Sequence, residues 1–173
     1  MAPRQSGARV SADYVAANPD ADPTATELVI NTMTAGQWML HRMDELLRSH
    51  GLTTGSFALL QIVAGSPDPL TPSQIVARSL GPLTSATVTG LLDTCERRGF
   101  IRREKHPSDR RKVIIALTAS GREVLATTSA LVIAAEKRWT AGTTKAERRA
   151  LTDGLGRLGD HLRSPEAAPP ATT

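Results

Sequence analysis

The chain has 173 residues, of which 40% are hydrophobic and 22% charged, and its formal net charge is +4. This length supports one globular domain with a sizeable core, and the composition excludes a fibrous protein or a chain that is disordered throughout. A single cysteine excludes an intramolecular disulfide framework. The sequence also lacks Cys-x-x-Cys metal spacing, an apolar signal region at its start and an apolar run long enough to span a bilayer. We therefore expect a cytoplasmic protein that holds no metal or cofactor and has no membrane partner.

The first part of the chain changes from irregular to helical near residue 26. Residues 1–25 mix Ala, Pro, Gly, Asp and Ser without periodicity, which predicts a disordered or partly helical extension. Residues 26–50 carry apolar side chains at helical spacing and are followed by Gly51, a typical C-terminal stop. Thr53 or Thr54 is placed to cap a further helix, which the segment GSPDP ends.

Two short helices come next. Thr71 at the N-cap with Pro72 at the first helical position indicates the start of the first. Thr84 begins the second, which Gly99 ends.

Strand-like segments follow at about 100–103 and at 113–117. A long helix is predicted from Ser120 towards Trp139, and a last helix begins at Thr144, where Thr-x-x-Glu has the form of a capping box. Residues 164–173 are rich in Pro, Ala and Thr, which predicts a disordered tail.

Two short helices followed by a hairpin are typical of a winged helix-turn-helix, so we expect a mainly α fold with a small β-hairpin wing. The second helix of such a pair can lie in the major groove of DNA. Its predicted exposed face carries small hydroxyl residues that can approach base edges closely, namely Thr84, Ser85, Thr87 and Thr89.

Positive charge is concentrated at the hairpin. Between Glu96 and Lys112 there are eight basic and three acidic residues, a net charge of +5 against +4 for the whole chain. An isolated charge run is usually a solvated face, but one that lies beside a helix-turn-helix pattern favours nucleic-acid binding.

Residues 52–121 closely resemble the MarR family of bacterial transcription regulators. The resemblance is carried by the stretches LTPSQIVARSLGPLTSATVTGLLDTCERRGFIRR and HPSDRRKVIIALTASGREVL, whose Asp-Arg-Arg before a strand matches the wing signature of the family. It implies one domain over 26–163, with a winged helix-turn-helix lobe at 52–118 and dimerisation helices at 26–50 and 120–163.

The resemblance also implies a function. A homodimer would bind double-stranded DNA at a palindromic operator, often as a repressor, and would be released by a small effector or an oxidant. Arg111 then corresponds to the wing-tip arginine that enters the minor groove, with Asp109 orienting it, while Arg110 and Lys105 contact phosphates. The complete set of predicted DNA-binding residues is Ser73, Thr84, Ser85, Thr87, Thr89, Lys105, Asp109, Arg110 and Arg111.

The chain departs from the family pattern at two positions. Gly90 stands where the family usually has a long polar or basic residue, so a possible DNA contact is missing. Cys95 replaces a usual leucine at a core-facing position. We interpret Cys95 as a small hydrophobe, with oxidant sensing as the alternative.

Candidate effector residues are Trp38, His41 and Phe57, which could line a pocket for a small aromatic or phenolic ligand. The competing interpretation is an interface tryptophan and a surface histidine.

No catalytic motif is present, so we expect no enzyme activity. The alternative to an operator-binding regulator is a winged-helix module that binds a protein or RNA, which need show neither palindrome preference nor steep salt dependence.

Overall fold

The computed structural model describes residues 7–79, 81, 84–106, 108–109 and 111–167. The elements in chain order are α1 (Ala12–Ala17), α2 (Pro23–Arg48), α3 (Thr54–Ala64), α4 (Pro72–Arg78), α5 (Ser85–Arg97), β1 (Ile101–Lys105), β2 (Val113–Leu117), α6 (Ala119–Trp139), α7 (Lys145–Leu162) and a 3-10 turn at Pro165–Ala167. The chain divides into two compact units between Ser129 and Ala130. The mainly α fold with a hairpin wing is confirmed, whereas the extent of the predicted domain, 26–163, stays a prediction.

The N-terminal extension contains α1 and is tied to α2 by hydrogen bonds. The backbone N–H of Ala8 donates to Oδ1 of Asn31 at 2.6 Å, and that of Val10 donates to Oε1 of Glu27 at 3.1 Å. The second helix begins at Pro23, earlier than the predicted residue 26, because the Asp22 carboxylate caps its first turn.

The core of the first unit is built from aliphatic side chains of α2 to α6 and the hairpin. Its largest fully buried members are Leu47, Leu60, Leu70, Ile75, Val88, Leu92, Cys95, Ile101, Ile115 and Thr128. The hydroxyl of Thr128 donates to the Val124 carbonyl at 2.7 Å, so this polar side chain is buried with its hydrogen bond made.

The helix starts lie where local capping chemistry predicts them. Thr53 caps α3, and its side chain accepts from the Ser56 N–H. Thr71 and Gln74 form a reciprocal capping box at α4, with Pro72 at the first position. Thr84 caps α5 by accepting from the Thr87 N–H. These local contacts set the residues at which the two helices of the helix-turn-helix begin.

The wing is an antiparallel hairpin in which Ile101 pairs with Leu117 and Lys105 with Val113. A single bridge adds Leu70, whose carbonyl accepts from the Ile115 N–H at 2.8 Å. The first strand extends beyond the predicted residues 100–103 because each residue up to Lys105 has a partner on β2.

The start of α6 lies against the base of the wing. The hydroxyl of Thr118 donates to the Gly99 carbonyl at 2.6 Å, and it accepts from the Gly121 N–H at 3.0 Å. Gly121 has no room for a side chain, since a Cβ there would lie 1.9 Å from the Phe100 carbonyl oxygen. The close approach therefore requires glycine.

The second unit consists of α6 from Ala130 onwards, α7 and the 3-10 turn, which lies in the segment predicted as a disordered tail. Thr144 and Glu147 form the predicted capping box of α7. This helix has no buried residue among those described and exposes the apolar side chains of Leu151, Leu155 and Leu162. Within the described ranges of the chain, no helix is long and apolar enough to cross a membrane.

Candidate nucleic-acid interface

The outer face of α5 presents hydroxyl groups to solvent. Thr84, Ser85, Thr87 and Thr89 are all exposed, as predicted from the sequence, whereas Val88 is 1% exposed. The hydroxyls of Thr84 and Thr87 lie 2.9 Å apart, and that of Thr89 donates to the Ser85 carbonyl at 2.9 Å. Because these bonds orient the side chains, the face offers methyl groups and acceptor lone pairs at fixed positions.

Between α4 and α5 runs a groove of about 340 Å³. Val76 and Val88 contribute apolar surface to it, and Ser73, Ser85 and Thr89 contribute hydroxyls. The structure thus brings Ser73 together with two of the predicted residues on α5.

A larger groove of about 550 Å³ lies where the beginning of α4 meets the wing. Ser73 and Gln74 line it from the helix, and His106, Lys112 and Val113 line it from the hairpin. Hydroxyl, amide and ammonium groups therefore line one groove, together with the carboxyl group of Asp68.

The tip of the wing is organised by Asp109. Its Oδ1 accepts from the backbone N–H of Arg111 at 3.1 Å and from Nε of the same arginine at 3.3 Å. These two hydrogen bonds, with weaker contributions from the nearby Lys112 and His106, lower the pKa of the Asp109 carboxyl. The side chain of Arg111 is 92% exposed, so its guanidinium is held in direction but remains accessible.

The other predicted wing residues are placed as follows. Lys105 ends β1 and is exposed. Arg110 lies outside the described residues. Lys112, which the sequence interpretation counted only as charge, lies 3.8 Å from Oδ2 of Asp109 and also lines the larger groove.

Sequence reasoning missed the role of Arg103. Its guanidinium binds Asp93 and Glu96 of α5, so it is paired inside the lobe rather than free at the surface. The signal available in the sequence was the pair of acidic residues three positions apart on the helix, Asp93 and Glu96, of which only Glu96 entered the charge count.

The predicted effector residues are not gathered into one of these grooves. Trp38 and His41 meet edge to face on α2 with ring centroids 5.9 Å apart, and Trp38 is 60% exposed. Phe57 is 4% exposed and belongs to the core. None of these three residues lines either of the two grooves described above. The role of these residues in effector binding stays a prediction.

Cys95 lies in the core at 1% exposure. Burial raises the pKa of its thiol, against the opposing influences of a hydrogen bond with Ser56 and the charge of Arg98. A thiol with a raised pKa forms little thiolate, so the side chain behaves as a packed hydrophobe.

A helix-turn-helix whose second helix exposes hydroxyls, followed by a hairpin with an accessible arginine at its tip, defines a winged helix-turn-helix protein. Comparison with known proteins supports this class. The model of the MarR family matches residues 50–112. The transcriptional repressor YetL of Bacillus subtilis is 36% identical over 102 residues, which cover 58% of this chain and 60% of YetL, less than two thirds of its length.

The transcriptional regulator HosA of Escherichia coli O111:H- is 30% identical over 95 residues, which cover 50% of this chain and 68% of HosA. The chain belongs to the MarR family, and these relatives are transcription regulators.

Solved structures share the fold. The S. aureus MepR–DNA complex superposes with a TM-score of 0.70 at 22% identity, over 76% of this chain and 95% of MepR. CouR from Rhodococcus jostii RHA1, bound to p-coumaroyl-CoA, gives a TM-score of 0.69 at 24% identity, over 80% of this chain and 96% of CouR. At these identities the likeness establishes the architecture.

Proposed function

We propose that the chain is a homodimeric repressor that binds a palindromic operator, with two α5 helices in successive major grooves and the wings in the flanking minor grooves. The observation that carries the proposal is the wing tip, where an Arg111 side chain that is 92% exposed is oriented by a carboxylate two residues away. An oriented arginine suits a narrow minor groove, where the negative potential is enhanced.

The remaining predicted residues take complementary roles. The hydroxyls of Thr84, Ser85, Thr87 and Thr89 face the base edges, while Ser73, Lys105 and Arg110 contact phosphates. Phosphate contacts fix the register of the protein on the duplex, and base contacts specify the sequence. Because the position of Gly90 is open, with nothing within 4 Å of a Cβ there, α5 can approach the floor of the groove closely at this point.

Dimerisation is supported by apolar surface on the helices that flank the winged lobe. On α2, Leu28, Met33 and Leu40 are between 52% and 60% exposed, and on α7, Leu151 and Leu162 are 58% and 65% exposed. Large apolar side chains exposed in such number mark an interaction surface. We assign these faces to a second copy of the chain, because a palindromic operator requires two-fold symmetry in the protein.

An effector completes the proposal. CouR, which shares the fold, binds p-coumaroyl-CoA, and we propose a small aromatic or phenolic effector for this chain, with Trp38 and His41 as candidate contacts. Binding would change the spacing of the two reading lobes, and a coupling of a few kcal/mol is enough to release an operator. The proposal places the regulator in the cytoplasm, with the DNA that it binds.

The test is the geometry of the bound complex. A duplex selected by the protein from a random library is measured by analytical ultracentrifugation and by anisotropy, next to a duplex with one half-site and a duplex with half a helical turn inserted between half-sites. We expect two protomers on a palindrome whose half-sites are about 34 Å apart, and affinity reduced to that of one half-site in both altered duplexes. Failure to select any duplex would favour a module for a protein or RNA partner, and equal affinity for all three duplexes would contradict binding as a dimer to a palindrome.

A further inference from the structure

Arg103 connects the wing with the recognition helix. It lies in the middle of β1, on the same face of the strand as Ile101, because residues two apart in a strand share a face. Ile101 is 2% exposed, so this face is directed into the lobe, and the Arg103 side chain is 29% exposed.

The guanidinium of Arg103 binds two carboxylates of α5. Its Nη2 donates to Oδ1 of Asp93 at 2.6 Å, and its Nη1 donates to Oε2 of Glu96. The backbone N–H of Arg103 also donates to Oε1 of Glu96 at 3.3 Å. Asp93 and Glu96 are three residues apart, so they lie on one face of the helix and meet the planar fork of donors together.

Both partners raise the pKa of the Arg103 guanidinium, with the hydrogen bond that it donates to Asp93 as the largest cause. The charge of this arginine is therefore compensated within the protein. Counting it among the cations available to phosphates overstates the free positive charge of the hairpin.

The neighbouring ion pairs make no such connection. Arg102 and Glu104 belong to the same strand, and Arg111 and Asp109 belong to one turn. Each of these pairs stabilises the hairpin internally and leaves its position relative to α5 unchanged.

We propose that Arg103 is a positioning residue for DNA recognition, holding the wing at the distance from α5 at which both elements reach the same duplex. The role rests on the proposed operator-binding function. It acts through geometry, because a wing that pivots relative to α5 loses simultaneous contact with the major and minor grooves. Specific binding therefore depends on Arg103, whereas binding to arbitrary DNA, which needs only phosphate contacts, does not.

The sharpest test removes the partners of Arg103 rather than Arg103. The double variant Asp93→Asn/Glu96→Gln takes two negative charges from a DNA-binding lobe, so electrostatics alone predicts tighter binding. The positioning role predicts weaker binding to the selected operator, by about fivefold, and an affinity for random duplex that is unchanged or higher. Glu104→Gln is the matched control, since it removes one acidic charge from the same hairpin without touching α5, and it should bind the operator at least as tightly as the wild type.

A second variant, Arg103→Lys, keeps the charge but loses the fork that reaches two carboxylates at once. It should weaken operator binding while the slope of log affinity against log salt stays that of the wild type.

Circular dichroism and thermal unfolding verify the fold of each variant. Unchanged or tighter operator binding by the double variant, or an equal loss on operator and random duplex, would overturn the positioning role. If the folded wild type bound no duplex, the operator function would fail first, before any variant was compared, and the positioning role would fall with it.

Discussion

Replacement of Arg111 by alanine is expected to reduce operator affinity by about tenfold or more, which corresponds to at least about 1.4 kcal/mol of binding free energy. The side chain is 92% exposed, so the substitution removes no packing. Its Nε donates to Oδ1 of Asp109 at 3.3 Å, so the carboxylate favours one direction of the guanidinium before DNA arrives. Anisotropy with labelled operator at fixed salt measures the loss.

The control is Arg149→Ala, which removes the same charge from an exposed position on α7, outside the winged lobe. We expect it to bind the operator like the wild type once ionic strength is matched. Asp109→Asn should give a smaller loss than Arg111→Ala, because it frees the arginine without deleting it. Equal affinities for Arg111→Ala and Arg149→Ala, with both variants folded, would show that the wing tip does not enter the groove.

Gly121→Ala is expected to have the largest effect on stability, lowering the free energy of unfolding by about 3 kcal/mol. The added Cβ would lie 1.9 Å from the Phe100 carbonyl oxygen, a backbone atom that cannot move aside without shifting the base of the wing. Urea unfolding followed by circular dichroism measures the change in midpoint, and an unchanged m-value shows that the unfolding transition is still the same.

Gly90→Ala provides the matched control, because it makes the same chemical change in the interior of α5, where no atom lies within 4 Å of the new Cβ. Alanine there should raise the free energy of unfolding by about 0.5–1 kcal/mol, since glycine in a helix costs that much conformational entropy. We therefore expect Gly121→Ala to lower the free energy of unfolding and Gly90→Ala to raise it. A Gly121→Ala variant as stable as the wild type would mean that α6 does not pack on Phe100 in this way.

The sequence predicted those features that depend on neighbouring residues. The N-caps at Thr71, Thr84 and Thr144 were predicted because capping joins a side chain to a backbone N–H only a few positions away. The contact between Asp109 and Arg111 is similarly local. The exposed hydroxyl face of α5 followed from helical periodicity alone.

Features that depend on distant parts of the chain were not predicted. The end of β1 is set by pairing with β2, and the glycine at position 121 is required by a carbonyl 21 residues earlier in the chain, at Phe100. The link from Arg103 to Asp93 likewise exists only after the hairpin has folded against α5. The sequence shows that such residues are charged but does not show which residues they contact. For this reason Arg103 was counted as free charge.

The most direct test of DNA binding by this winged lobe is the salt dependence of its duplex affinity. Wild-type protein is titrated by anisotropy against a labelled duplex from upstream of its own gene, across a potassium chloride series. We expect log affinity to fall linearly with log salt, with a slope that reflects several neutralised phosphates, because the segment from Glu96 to Lys112 carries a net charge of +5. A folded dimer that binds no duplex even at low salt would contradict the account and assign the basic wing to another partner.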